Sequence, residues 1–419
     1  MNDQTVQRAE SLDQKDPLSS FGLEFEIPKD AKGNKLIYLC GNSLGLQPKQ
    51  TKEYISQELE HWAKWGVDGH TKGENAWLPY HELLTHQMAQ VVGAKDHEVV
   101  VMNTLTVNLH LMMVSFYQPT KSRHKIIIEA DAFPSDRYAV ESQIKFHGYD
   151  PEHSLLLWEQ NPETGLCEQS ELEALLNQHK DSVALIMLGN SNYYSGQVYP
   201  IKEITQLGHS YGAKVGFNLA HGAGNIICDL HDNGVDFAVW CTYKYLNSGP
   251  GSLGGVFVHE RHSESYDLPR FTGWWGHNKE TRFKMRDGFD PIAGAEGWQL
   301  SNPPILSMAA IRASLDIFDR AGIHKIREKS IQLTAYLAEL LSTLNSDKIR
   351  IMTPLDPEHR GAQLSLQLKD SDRSLHDALT HLGVVSDWRE PDVIRVAPAP
   401  LYNSFRDIYD FVQRLNQCL

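Results

Sequence analysis

From Val99 onward, short and wholly apolar runs alternate with longer segments that are apolar along one side only. The pattern predicts a strand at Val99–Met102, a helix at Leu105–Tyr117, a strand at Lys125–Glu129 and a helix at Asp136–Phe146. It continues with a strand at Val183–Leu188, a helix at Ile201–Tyr211, and strands at Lys214–Leu219 and Phe237–Cys241. A further apolar run, Val256–Val258, follows a glycine-rich loop. Strands alternating with helices of this length predict a parallel α/β sheet. The strands lack polar alternation, as expected when helices cover both faces.

Beyond Asn302-Pro303-Pro304 the rhythm changes. One long helical stretch, Ile305–Asn345, precedes a strand at Gln363–Leu368 and an amphipathic helix around Leu375–Leu382. A strand at Val393–Val396 and a terminal helix from Ser404 complete it. At the other end, residues 1–35 read as a loosely structured arm. An apolar run (Leu36–Cys40), a turn (Gly41–Gly45) and a helix from Pro48 come next. The stripe Tyr54, Leu59, Trp62 and Trp65 on that helix predicts core packing. The expected architecture is an α/β fold with a mostly parallel sheet in a large domain (45–304). A smaller α+β domain would be built from 1–44 and 305–419.

The chain has 419 residues, 41% hydrophobic and 22% charged, which describes an ordinary globular protein with a large core. A net charge of −14 argues against nucleic acid or an anionic membrane as partner, so any phosphate site must be local. Cys40, Cys167, Cys228, Cys241 and Cys418 are odd in number and show no paired spacing. They point to a reducing compartment, the cytosol, and to no zinc framework. The polar N-terminus has no apolar leader-like run, and no stretch is long enough to span a membrane.

Several motif matches fail on their surroundings. Gly249-x-Gly251-x-x-Gly254 has the dinucleotide spacing, but an apolar strand rather than a helix follows it. His81 and His86 sit one residue too far apart to share a zinc from one helix face, and surface histidines are the expectation. Ser252 lacks the first glycine of a nucleophile elbow.

What survives lies at the ends of the predicted strands. Lys244, between Tyr243 and Tyr245, follows the apolar run Phe237–Cys241. A buried strand-end lysine is costly to desolvate, and an amine tuned to form a Schiff base is one reason to keep it there. A stem that packs while its ammonium reaches water is the plain alternative. Asn103-Thr104-Leu105-Thr106 joins a strand to a helix, where free N–H groups and the helix dipole would hold a phosphate. Phe133 and Asp136 follow the next strand, and Asn218 and His221 leave the one after Lys214. Ligands of open α/β sheets sit at such carboxyl ends. Phosphate cradle, aromatic ring, polar group, imidazole and lysine together suit pyridoxal 5'-phosphate.

At this point the chain resembles the kynureninase family, among the fold type I, aspartate-aminotransferase-like pyridoxal-phosphate enzymes. The resemblance rests on GNSLGLQPK (Gly41–Lys49), LTVNLHL (Leu105–Leu111), AFPSD (Ala132–Asp136), LAH (Leu219–His221), GVDFA (Gly234–Ala238) and YKYLN (Tyr243–Asn247). TRFKM (Thr281–Met285), SNPPIL (Ser301–Leu306) and IRVAPAPLYNS (Ile394–Ser404) extend it to the C-terminus. It implies hydrolytic Cβ–Cγ cleavage of L-kynurenine or 3-hydroxy-L-kynurenine, giving anthranilate or 3-hydroxyanthranilate and L-alanine, in tryptophan catabolism. Lys244 would carry the Schiff base and move the Cα proton, and Tyr243 would serve the carbonyl and Cβ. Leu105, Thr106 and Tyr243 would contact the phosphate. Trp274 and Asn302 would join them from the second subunit of a homodimer. Phe133 would stack on the ring; Asp136 and residue 218 would face its nitrogen, with Gly189 and His221 beside the cofactor. Arg395 would clamp the substrate α-carboxylate, and Ser43 and His70 would border its aromatic end. In that family His and Asn at positions 70 and 302 accompany a preference for 3-hydroxykynurenine.

The chain departs from the family at Asn218, where an aspartate is expected, and at Gly189 and Asn192, where serine and histidine are common. A neutral amide in place of a carboxylate would cost about 1–2 kcal/mol, about tenfold in rate. Three readings stay open on the sequence: a working kynureninase with Asp136 serving the ring nitrogen, a fold type I enzyme with altered chemistry, and a catalytically weak cofactor-binding paralogue.

Overall fold

In a computed structural model the chain is described for residues 3–285, 287–344, 346–369 and 372–419. Seven strands form the main sheet: β1 (Val99–Met102), β2 (Lys125–Glu129), β3 (Leu155–Trp158), β4 (Val183–Gly189), β5 (Lys214–Asn218), β6 (Phe237–Cys241) and β7 (Gly254–Val258). Their spatial order is β1-β7-β6-β5-β4-β2-β3. β2 to β6 pair in parallel, whereas β7 runs antiparallel to both β6 and β1. Helices on both faces bury the sheet completely along most strands, which is why the runs are apolar without alternation. β3 and the helix Gln169–His179 extend the alternation beyond the elements anticipated from sequence.

β7 runs back because the chain from Thr242 to Leu253 reverses within one compact loop. Gly249 and Gly251 adopt φ of +95° and +68° there, backbone open to glycine. Gly249 and Gly251 therefore belong to a turn and Gly254 opens the strand that follows it, as their surroundings indicated.

A second sheet, β8 (Ile349–Ile351), β9 (Leu364–Leu368), β10 (Asp387–Arg389) and β11 (Val393–Val396), is antiparallel throughout, in the order β8-β9-β11-β10. Its core is shared with the helices Ile323–Ser342, Ser374–His381 and Phe405–Cys418.

Four expectations need correction. Residues 1–35 are not a loose arm: Asp3–Lys15 is a helix packed on Phe405–Cys418. Asp13 fastens it, accepting from the Phe405 and Arg406 N–H groups at 2.7 and 3.0 Å. These are orphan donors at a helix start, so the carboxylate is well placed. The stretch Ile305–Asn345 is two helices, Ile305–Ala321 and Ile323–Ser342, parted at Gly322, where φ is +77° and ψ is 128°. Its expected end, Asn345, lies outside the described residues.

Trp62 is 61% exposed rather than in the core, and Leu59 also points outward. Of that stripe on the helix Thr51–Trp65, Tyr54 does pack on the core; with Ile55 and the buried Glu58 it faces the helix Ile305–Ala321. Trp77 Nε1–H donates to Glu58 at 2.9 Å, satisfying that buried acid. His81 is buried, not on the surface; its ring lies 3.4 Å from Glu296, which also pairs with Lys279. His86 is exposed and pairs with Asp96.

Candidate functional site

Because β1, β2, β4, β5 and β6 point the same way, their carboxyl ends open at one edge of the sheet. Leu105, Thr106, Phe133, Asp136, Gly189, Asn218, His221, Tyr243 and Lys244 all line a single cavity there. The sheet has brought together residues spread over 140 positions of sequence, one strand end at a time.

β1 is followed by Asn103, whose φ of +46° turns the chain sharply into the helix Leu105–Phe116. Thr104 makes no side-chain cap bond, leaving the first-turn N–H groups beside the cavity for an anion. Thr106 Oγ1 and Ser135 Oγ lie 3.0 Å apart, so a second hydroxyl joins that corner.

The acid corner is more specific. Asn218 Oδ1 accepts from the Ala220 N–H at 2.9 Å, which fixes the amide so that Nδ2 donates to Asp136 Oδ2 at 2.7 Å. Asp136 Oδ1 is left buried with no partner among the described residues. Burial lifts the Asp136 carboxyl to about 6, against the opposing pull of the Asn218 hydrogen bond and the Lys244 charge. Next to it stands Glu129, the last residue of β2, which accepts from the Gly189 N–H at 3.1 and 3.2 Å. Burial pushes Glu129 up to about 8, with the Asp136 charge adding to the shift. Of the two buried carboxyls, Glu129 is the one pushed further towards its neutral form. A Cβ on Gly189 would press on the Glu129 carboxyl, so glycine there makes room for it.

Lys244 reaches the same cavity from the end of β6, with Nζ 5.9 Å from the centroid of the Phe133 ring. Desolvation lowers its pKa; among nearby charges Arg395 and Arg389 act the same way while Asp136 opposes them. A lysine held towards its neutral form is a competent nucleophile. His221 is kept neutral by burial first and then by the charges of Lys244, Arg395 and Arg389. Tyr243 stays protonated, chiefly because it is desolvated. The turn Gly41–Gly45 braces this loop: the Gly45 N–H donates to the Tyr243 carbonyl at 2.8 Å. A Cβ on Gly45 would collide with the Lys244 carbonyl and with Asn247.

Other anticipated residues lie apart from the cavity. Arg395, on β11, is buried at its side, with Nη1 donating to the Tyr193 carbonyl at 2.8 Å and Nη2 to Asp387 at 2.6 Å. Ser43 sits on the bracing turn. His70 ends a short helical turn, with its Nδ1 2.9 Å from the Val67 carbonyl. Trp274 and Asn302 are exposed and do not line the cavity of their own chain.

Sequence reasoning missed Glu129 and Tyr193, which also line the cavity. A carboxylate closing an otherwise apolar strand was the available signal for Glu129. Tyr193 had none.

The buried, unpartnered Asp136 oxygen, the shielded lysine and the open helix turn fit pyridoxal phosphate: an acceptor for its ring nitrogen, an amine for its aldehyde and N–H groups for its phosphate.

The fold is that of the fold type I pyridoxal-phosphate enzymes. The cysteine desulfurase CsdA from Escherichia coli superposes with a TM-score of 0.75 over 96% of this chain and 98% of its own, at 16% identity. A C-DES mutant carrying glycine covalently linked to its PLP cofactor gives 0.76 over 91% and 96%, again at 16% identity. Residues 326–415 match the family model of the kynureninase C-terminal domain. Kynureninase from Koribacter versatilis is 55% identical over 413 residues, covering 98% of this chain and 97% of the relative. Kynureninase from Flavobacterium psychrophilum is 50% identical over 416 residues, covering 99% and 98%. The chain belongs to the kynureninase family.

Proposed function

We propose that this protein uses pyridoxal phosphate to hydrolyse the Cβ–Cγ bond of kynurenine or 3-hydroxykynurenine, releasing L-alanine and the corresponding anthranilate. The observation that carries the reading is one cavity uniting Lys244, Asp136 and an open helix turn, in a chain 55% identical along its length to a kynureninase. Neither altered chemistry nor a non-catalytic role is favoured by any feature of the site.

Pyridoxal phosphate supplies an electrophilic carbon for the substrate amine and a ring that accepts the Cα electrons. The chain's own groups do the rest. Lys244 Nζ, held towards neutrality by desolvation, both anchors the cofactor and takes the Cα proton. Asp136 Oδ1, buried and free of any partner among the described residues, would accept a hydrogen bond from the ring nitrogen and favour its charged form. Asn218 holds Asp136 in place through the other oxygen. Tyr243, protonated at working pH, is the proton donor to the γ-carbonyl side and to Cβ. Arg395 binds the α-carboxylate through its planar fork. Phe133 would cover the ring, and the adjacent hydroxyls of Thr106 and Ser135 would serve the phosphate.

The protein acts as a homodimer in this reading, with Trp274 and Asn302 reaching the partner's site. Support comes from an exposed apolar surface on the segment 259–304, between β7 and the helix Ile305–Ala321, where Phe271, Trp274, Phe283 and Met285 all face outward. The cytosol is its proposed location.

The test is to reconstitute the chain with pyridoxal phosphate and supply each kynurenine in turn. Alanine and the matching anthranilate should appear in equal amounts; if neither substrate yields both products, the reading is wrong.

A further inference from the structure

The small sheet has two chemically different faces. Leu364, Leu366, Leu368, Ile394 and Val396 fill the second core. On the opposite face the register sets Asp387 directly across from Arg395, with Arg389 two residues further along β10. Asp387 accepts from Arg395 Nη2 at 2.6 Å. It also pairs with Arg389, 3.0 Å from Nε and 3.2 Å from Nη2.

This pairing changes what Arg395 can do alone. Its side chain is 1% exposed and that of Asp387 is 11% exposed, so the pair is a desolvated unit with no net charge. An incoming carboxylate would meet a guanidinium already neutralised by an internal one. Two guanidiniums share the one carboxylate, so the cluster keeps one net positive charge; Arg389 is its more exposed member, at 35%, and its guanidinium carbon lies 6.0 Å from the centroid of the Tyr193 ring in the cavity wall. Arg395 Nε, meanwhile, is buried and has no hydrogen-bond partner among the described residues. Both guanidinium charges are felt inside the cavity, at Lys244 and His221. A surplus positive charge shared by two guanidiniums, beside an unfilled donor, is a site for one anion.

We propose that Arg389 is a second substrate-binding guanidinium, taking the α-carboxylate jointly with Arg395, and that Asp387 is a positioning residue holding the two side by side. The proposal rests on the amino-acid substrate inferred above.

The test uses the cofactor-loaded full-length protein. For Arg389→Gln, KM for kynurenine and Kd for the product L-alanine should each rise about tenfold, while kcat falls by less than about threefold. Binding of the kynurenine analogue that lacks the α-carboxylate should not change. Arg389→Lys should recover part of the loss, since charge returns without the planar fork. Asp387→Asn makes the cluster more positive yet should still raise KM, because the guanidiniums are no longer held. An unchanged KM and alanine Kd in Arg389→Gln, or equal losses for alanine and the analogue, overturns the role of Arg389. Tighter substrate binding in Asp387→Asn overturns the positioning role. Failure of the wild-type protein to cleave kynurenine would remove the functional reading itself, a separate result.

Discussion

Among single residues, Asn218 alters the picture most. On the sequence it is a lost carboxylate. In the fold its amide is pinned by the Ala220 N–H, so it can only donate to Asp136, and that leaves Asp136 as the ionisable partner. Asp136→Asn should then cost at least about tenfold in turnover and weaken cofactor binding. Asn218→Asp should give no gain at neutral pH. Two carboxylates 2.7 Å apart would share a proton, so the acid limb of the pH–rate profile should move upward. A faster Asn218→Asp enzyme with an unmoved acid limb would contradict this. Glu129 offers a second check, made on the apoprotein. Its folded-state value, about 8, is above the ordinary 4.5, so the native state holds a proton that the unfolded chain releases. That contribution is complete below pH 4.5 and is lost as pH rises through 8. Glu129→Gln should flatten the fall in apoprotein stability between pH 5 and 8 by roughly 1–3 kcal/mol, measured by denaturant unfolding at each pH.

Elements were legible where local physics sufficed. The apolar runs that became β1, β4 and β6 carry their own signal, since a segment buried on both faces cannot alternate. The N-terminal helix carries a weak one, because its stability comes from docking. Asp13 is the clearest case: one of three acids spaced three apart in a polar stretch, yet in the fold it serves two N–H groups 392 and 393 residues away. Asp13→Ala should lower stability by about 1 kcal/mol and let the first helix exchange amide protons faster, with cofactor affinity unchanged. Slow exchange in the variant would mean that apolar packing alone holds the helix. Trp62 failed for the converse reason: a helical stripe tells which residues share a face, not whether anything covers it.

At the scale of the molecule, the exposed aromatics of the segment around Trp274 predict an assembly. Sedimentation should report the mass of two chains, and Trp274→Ala should reduce cofactor affinity while leaving each chain folded; a monomer with full cofactor affinity would exclude the shared site. The sequence by itself determined the strand–helix rhythm, the lysine at a strand end, and a set of polar groups at neighbouring strand ends. Those are consequences of hydrophobic period and of a chain that must return to the same sheet edge after each crossover. Only the tertiary structure decided that Asn218 is a donor, that Glu129 shares the pocket of Asp136, and that Asp387 occupies Arg395. Protonation state and hydrogen-bond direction depend on which groups face one another across the fold and on how far water is excluded between them.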